Sequence, residues 1–541
     1  MDIDCRVQPT GNALTDACLD GNSEALSLYD YDTRDDRFAV RRASDVDGLY
    51  DETQRPLLVE ALRAYAGEIG TLETAEPLLQ KLAQPGCLTV VTGQQAGLFT
   101  GPSYTVYKAI STVSLAKRLE RVLSRPVVPV FWIAAEDHDF DEAASAYYVT
   151  RHGNLGRAVI KDRPALRTPV GQHVISDRDL DRLIQELSAD LPDGLYREDV
   201  IEAVSRAYRE TGNMADGFAA LLGIWLQGTP MLYVNPLRPD LRALMRPAFS
   251  SVLEQPERFV QAAREGAQQV RAKGYTPQVE FHDKHTLLYL IHGQTRSALD
   301  LSDQPQTLVV RDSNESLSRS SLQSRLQERP QDFSGGVLYR PVTQDVLLPV
   351  LAYVGGAAEV AYHGMMGPIF HAAGRKVPPL YLRMRALHLP SGVARTLEAF
   401  GVGLDQVSDP TLLQDWLRRE VNPPLAERVA SLQQAVAALI DESADYFLQL
   451  DPLLQKSLDK TKRSLSHSVG KLEGKALSAL GRKHRETVEA HTKLTAWLYP
   501  NHHEQERLLS PLSMIAKYGT DWVAELAEFA WTSENLVMLK W

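Results

Sequence analysis

Two short stretches concentrate the residues that could do chemistry. Residues 136–142 read Glu-Asp-His-Asp-Phe-Asp-Glu, five carboxylates and a histidine in seven positions. Carboxylates crowded this closely raise one another's pKa unless something positive visits them: a metal ion, an ammonium group or a proton in transfer. Asp137 and His138 are the candidate catalytic pair, able to hold an incoming ammonium and take the proton that an amine must lose before it attacks. Glu136 and Asp139 flank them as candidate substrate contacts. Mg²⁺ would need only one or two of these carboxylates together with substrate phosphates. Zinc is less well served, because no second histidine follows at helical spacing. A solvated acidic loop is the plain alternative.

Residues 92–104 read TGQQAGLFTGPSY, with glycines at 93, 97 and 101. Between a strand and a helix, such a loop lets backbone N–H groups approach an anion beside a helix N-terminus. Gly93, Gln94, Gln95, Gly97, Thr100, Gly101 and Tyr104, with Lys108 further on, form the candidate nucleotide-binding set. Neither GxxxxGK[ST] nor GxGxxG is present, so a glycine-rich turn that merely reverses the chain stays open as a reading. A third stretch, residues 340–362, sets Arg340, Gln344, Tyr353, Glu359 and Tyr362 in apolar surroundings. Buried polar groups need partners, either one another or a ligand. These five are candidate substrate-binding residues.

The elements that must position these groups follow from periodicity. Residues 88–93 and 127–134 are short β-branched apolar runs, and residues 103–122 between them carry helical apolar spacing. Strand, helix, strand at this length is a βαβ unit with parallel strands and a right-handed crossover. Both chemical loops then lie at the carboxyl ends of neighbouring strands, where open α/β sheets keep their ligands. Further strands are expected at 231–234, 286–291, 307–310 and 336–339, and helices at 177–187, 197–211 and 238–273. The fold class is α/β with helices on both faces of the sheet. The more polar region 150–230 reads as a connecting insertion.

The pattern changes after residue 395. Leu425, Val429, Leu432, Val436, Leu439, Ser443, Tyr446 and Leu450 recur at a 3.5-residue period. Asp451-Pro452 starts a second helix that runs to about residue 499. Two long antiparallel helices, a coiled-coil arm, are expected. Residues 456–485 carry nine basic residues against Asp459 and Glu473, a solvated face or an acidic partner's landing strip. The tail, with Trp522, Phe529, Trp531 and Trp541, should pack back on the core. The expected domains are 1–395, 396–500 and 501–541.

Composition limits the classes of function. Of 541 residues, 58 are Lys or Arg and 69 are Asp or Glu, a net charge of −11, which argues against nucleic acid held by global charge. Cys5, Cys18 and Cys87 offer neither a disulfide framework nor a CxxC metal site. The acidic N-terminus is unlike a signal peptide, and no apolar run is long enough to cross a membrane. A cytoplasmic protein with no membrane partner is expected.

The stretches TGQQAGLFTGPSYTVYKA (92–109), VVPVFWIAAEDHDFDE (127–142), RPVTQDVLLPVLAYVGGAAEVAY (340–362) and LYPNHHEQERLLSPL (498–512) resemble those of the bacillithiol synthase family. The resemblance implies a Rossmann-like, nucleotidyltransferase-type core with connecting insertions and a coiled-coil arm through which two chains form a homodimer. It also implies a cysteine ligase that joins L-cysteine to glucosaminyl-malate in the last step of bacillithiol assembly. ATP would activate the cysteine carboxylate as an acyl adenylate, with Mg²⁺ as a possible companion. Related adenylating enzymes carry HIGH-type and KMSKS-type signatures, which this chain lacks. The charge developed on phosphate would fall to the amides of 97–101, to Lys108 and Arg340, or to Arg375 and Lys376. Rival readings are a Mg²⁺-dependent hydrolase or phosphotransferase at the acidic loop, and a non-catalytic coiled-coil interaction protein.

Overall fold

The computed structural model describes the chain apart from residues 165–166, 281, 293–294, 423, 531 and 534; Trp531 therefore lies outside the described residues. The chain divides into two compact units, the first comprising Met1–Arg151, Gly156–His388 and Glu506–Lys540, the second His152–Leu155, Leu389–Gln505 and Trp541.

The first unit is built on a five-stranded parallel sheet. Its strands are β1 (Leu88–Gln94), β2 (Val127–Ile133), β3 (Leu232–Val234), β4 (Val350–Gly355) and β5 (Leu380–Leu382), in the order β5-β4-β1-β2-β3. Every residue of β2 and β4 is buried, as parallel strands covered on both faces must be, and this is why they read as continuous apolar runs. Helix α1 (Tyr104–Leu123) makes the crossover from β1 to β2. The chain builds outward through β2 and β3, then returns to the other side of β1 as β4, so the topological switch point lies between β1 and β4.

The strands near 286–291 and 307–310 do not extend this sheet. With Thr295–Leu301, which the sequence pattern did not reveal, they form a separate antiparallel sheet of order Glu315–Ser318, Thr307–Val310, Thr295–Leu301, His285–His292, Phe333–Gly335. Parallel strands need crossovers of a dozen or more residues, and the links here are too short. Residues 336–339 form a turn and the strand precedes them. The helical stretch 238–273 is three helices, interrupted near Met245 and Gln255, each followed within two residues by a proline.

Region 150–230 supplies α2 (Asp177–Asp190), α3 (Arg197–Thr211) and α4 (Met214–Trp225). Helices α5 (Arg340–Leu347) and α6 (Ala357–His363) flank β4. The C-terminal strand Asn535–Lys540 pairs antiparallel with Asp2–Val7, and Trp522 packs against Tyr107 and His388.

In the second unit, α7 (Pro424–Leu450) and α8 (Gln455–Lys483) are joined by a tight turn in which the Asp451 carboxylate accepts the Leu453 N–H at 2.8 Å. The basic helix does not reach residue 499 unbroken. It stops at His484 and resumes as α9 (Arg485–Leu498), in a stretch weakened by Gly470, Gly474 and Gly481. The expected seam is only partly covered. Leu425, Val429 and Val436 are partly buried, whereas Leu439, Tyr446 and Leu450 are 63%, 66% and 65% exposed. The partly covered face continues instead through Ile440, Ala444 and Leu448. A straight helix drifts about 20° per heptad from a 3.5 repeat, which carries the far end of the seam into solvent.

Candidate active site

Gln95 Nε2 donates to Asp139 O at 3.1 Å, and Ala134 N–H donates to Gln94 O at 2.8 Å. The glycine loop and the acidic loop thus meet on one side of the sheet, above β1 and β2.

The glycine loop is closed on itself. A side chain on Gly93 would come within 2.8 Å of Trp132 O, and Gly97 lies against Gly101. The N–H of Gly97 goes to Gln95 O, that of Gly101 to Leu98 O, and that of Phe99 to the Tyr208 hydroxyl. At the start of α1, Leu509 O accepts both the N–H and the hydroxyl of Ser103, at 2.8 and 2.7 Å. A carbonyl from the C-terminal segment thus stands where an anion was expected. The nearby cavity, about 180 Å³, is lined by Gln94, Gln95, Gly97, Gly101, Tyr104 and Glu142 among others. That is below the ~300 Å³ at which small-molecule pockets usually begin. ATP does not fit this loop as it is folded here.

At the switch point, Lys108 is also engaged. Only 3% exposed, it makes an ion pair with Glu359 and donates to Gly93 O and Gln94 Oε1 at 2.8 Å each. Gln94 Nε2 donates to the Tyr104 hydroxyl at 3.1 Å. Glu359 also accepts from Tyr353 OH at 2.9 Å and Gly356 N–H at 2.8 Å. Burial lowers the Lys108 pKa, and Glu359 opposes that; Glu359, despite its own burial, lies below the usual range because Lys108 and these donors hold it ionised. Lys108 and Glu359 complete each other. Tyr104 lies under two cations, Lys108 at 5.9 Å and Arg383 at 5.3 Å from its ring centre. Arg375 and Lys376 serve other carboxylates, Asp345 at 2.9 Å and Asp45 at 3.0 Å.

The acidic loop is sorted by burial. Glu136, 6% exposed, pairs with the fully buried Arg242 at 2.6 Å and so anchors the loop. Asp137 Oδ1 accepts the N–H groups of His138 and Asp139 at 2.7 and 3.3 Å, and its side chain stays 42% exposed. Asp139 caps the short helix that follows. His138 Nδ1 lies 3.3 Å from Arg296 Nη1. A guanidinium can only donate, so Nδ1 is the acceptor and the ring proton is on Nε2. Burial and the Arg296 charge both lower the His138 pKa. His138 is therefore a neutral donor through Nε2. Glu142 is raised by desolvation and by Asp139 and Asp137.

Arg340 opens α5 beside both groups. Tyr362, Tyr353, Asp137 and Glu136 are the groups whose charges act on it. No carboxylate pairs with it among the described residues. Gln344 is buried one turn further along α5, and Asp345 ties that helix down through Arg42 and Arg375.

Five residues of the site escaped sequence reasoning: Arg242, Arg296, Arg383, Glu506 and His363. Arg296 stacks 3.7 Å above the Tyr289 ring and donates to Ser334 Oγ and Gly335 O. Arg383 forms a two-pronged pair with Glu506 at 2.7 and 2.9 Å. His363 stacks on Tyr362 with ring centres 4.8 Å apart. The available signal was the charge in Arg383 and Arg385, interrupting an apolar run at 377–389. Arg242 and Arg296 come from segments with no chemical pattern of their own.

Residues 1–384 match the family model described as the N-terminal Rossmann-like domain of bacillithiol biosynthesis BshC, and residues 386–532 match its C-terminal coiled-coil domain. A relative from Symbiobacterium thermophilum is 32% identical over 518 residues, covering 92% of each chain. One from Solibacter usitatus is 31% identical over 506 residues, 93% of this chain and 92% of that one. One from Bacillus cytotoxicus is 28% identical over 513 residues, covering 93% and 94%. Each carries the name "Putative cysteine ligase BshC". Two family models spanning nearly the whole chain and relatives above 30% identity over most of it agree, and the chain belongs to the BshC family of bacillithiol biosynthesis.

Proposed function

We propose that this chain joins the carboxyl group of L-cysteine to the amine of glucosaminyl-malate, the last step of bacillithiol assembly. The observation that carries the reading is a pair of opposite charges that act on each other without forming an ion pair: Arg340, a guanidinium with no carboxylate partner among the described residues, and Asp137, whose side chain is 42% exposed. One suits a substrate carboxylate, the other an ammonium. In amide formation the amine attacks the activated carbonyl, the leaving group departs, and the amine proton passes to Asp137. His138, donating through Nε2, orients a neighbouring acceptor. Arg340, with Gln344 and Tyr362 beside it, holds the malate or cysteine carboxylate.

Activation of the carboxyl group is assigned to ATP by family resemblance. Incubation of the pure protein with cysteine, glucosaminyl-malate and ATP, followed by mass spectrometry, is expected to show bacillithiol and AMP. Absence of the ligated product overturns the proposal. Product without nucleotide consumption keeps the ligation and removes ATP.

The long-helix unit supports a homodimer. Leu432, Leu439 and Tyr446 recur every seven residues on α7 and Leu465 and Leu472 do so on α8, all more than a third exposed. Such a stripe fits a second copy. Leu432→Glu with Leu439→Glu should halve the mass measured by light scattering while helical circular dichroism persists; an unchanged mass would show that this stripe is not the contact.

A further inference from the structure

The glycine loop is strained where it carries ordinary side chains. Phe99 and Thr100 have φ of +53° and +71°, a left-handed conformation that L-residues avoid and that a β-branched threonine tolerates poorly. The Thr100 hydroxyl is buried and has no hydrogen-bond partner among the described residues. Support comes from more than a hundred positions along the chain. The Phe99 N–H donates to the Tyr208 hydroxyl at 2.9 Å, and the two rings meet edge to face at 5.7 Å and 85°. Tyr208 lies on α3, buried against Gly217 of α4, where any added side chain would strike its ring. Its phenol stays neutral, held there by burial. The same region grips the acidic loop through Val170 N–H to Asp137 O at 2.6 Å and Gly171 N–H to Ala135 O at 2.9 Å.

We propose that Tyr208 is a positioning residue. Its hydroxyl holds Phe99 and Thr100 in the left-handed conformation. That conformation sets Gly97 against Gly101 and fixes the wall of the cavity shared with Tyr104 and Glu142. Its bearing on catalysis rests on the ligase reading above. Its hold on the loop does not.

Two readouts separate these. Hydrogen exchange of the amides at 97–103, followed by mass spectrometry, needs no substrate. Tyr208→Phe keeps the ring and removes the hydroxyl, and loss of one such hydrogen bond shifts a local equilibrium about fivefold. Exchange at these amides should quicken about fivefold and ligation kcat/KM should fall about as much, with far-UV circular dichroism unchanged. Adding Thr100→Gly, which makes the left-handed conformation acceptable, should recover most of both. Unchanged exchange in Tyr208→Phe overturns the proposal. So does a loss of ligation that Thr100→Gly leaves uncorrected. If Tyr208→Phe alone does not fold, the double variant should; failure of both to fold overturns it as well. If the unmodified chain ligates nothing, the ligase reading falls and exchange alone decides the role of Tyr208.

Discussion

The two sides of the site use charge in opposite ways. At the switch point between β1 and β4, Lys108, Gln94, Tyr353 and Glu359 satisfy one another, and in the glycine loop beside them the amides of Gly97 and Gly101 go to the loop's own carbonyls and that of Phe99 to Tyr208. Around the acidic loop Glu136 is closed off by the buried Arg242 and Asp141 pairs with Arg163 at the surface, while Asp137 stays 42% exposed and Arg340 has no carboxylate partner among the described residues. Groups that complete each other hold the scaffold. Groups left incomplete are where a ligand adds something. Changes in the closed cluster should therefore appear in stability, and changes among the open groups in turnover.

The largest effect is expected at Lys108. Lys108→Met removes the cation and leaves Glu359 buried with two neutral donors. Breaking a buried pair from one side costs about 3–5 kcal/mol. Denaturant unfolding followed by tryptophan fluorescence should show that loss. A shift below about 1 kcal/mol would mean the cluster is open to solvent and the contrast is false.

His363 gives the next largest effect, as a slope with pH. Burial lowers its pKa from 6.5 to about 4, and its Nδ1 lies 2.7 Å from Glu359 O. Between those values the unfolded chain binds a proton that the folded chain refuses. The stability present above pH 6.5 is thus lost as pH falls through 4, to an extent of about 3 kcal/mol. His363→Gln should flatten this part of the difference between unfolding midpoints at pH 7 and 4.5. An identical slope in both proteins would put the proton elsewhere.

Asp137 belongs to the open side. Asp137→Asn keeps the oxygen that accepts the His138 and Asp139 amides and removes only the proton acceptor. Turnover should fall about hundredfold, while unfolding moves by less than about 0.5 kcal/mol. A fall in stability with turnover intact would transfer Asp137 to the scaffold.

This contrast also explains what the sequence could and could not reveal. The parallel strands are legible because both faces are buried, so composition alone marks them. The loops are legible because glycine and carboxylate are unusual at strand ends. Which of five neighbouring carboxylates is closed is not legible: Glu136 differs from Asp137 only by a partner, Arg242, from a helix 106 positions away. The seam of α7 misleads for a related reason, since a 3.5 repeat gives spacing but not which face a straight helix turns to its neighbour. Thr295–Leu301 was missed because a strand carrying Arg296 and Asp300 inward lacks a clean alternation.

Arg340 is expected to show the smallest effect and the most discriminating one, because a ligand-facing cation and a structural one differ in which measurement they move. Burial of the guanidinium is offset by Tyr362, Tyr353, Asp137 and Glu136 around it, and no carboxylate among the described residues pairs with it, so Arg340→Gln should cost the unliganded protein less than about 1 kcal/mol. The same change removes the charge meant for a substrate carboxylate, so KM for the carboxylate-bearing substrate should rise about tenfold, close to 1.4 kcal/mol, with kcat changed much less. Both quantities can be measured on one preparation, by thermal unfolding and steady-state kinetics. Loss of stability with KM unchanged would place Arg340 with Lys108 among the closed groups and leave Asp137 without an opposing charge.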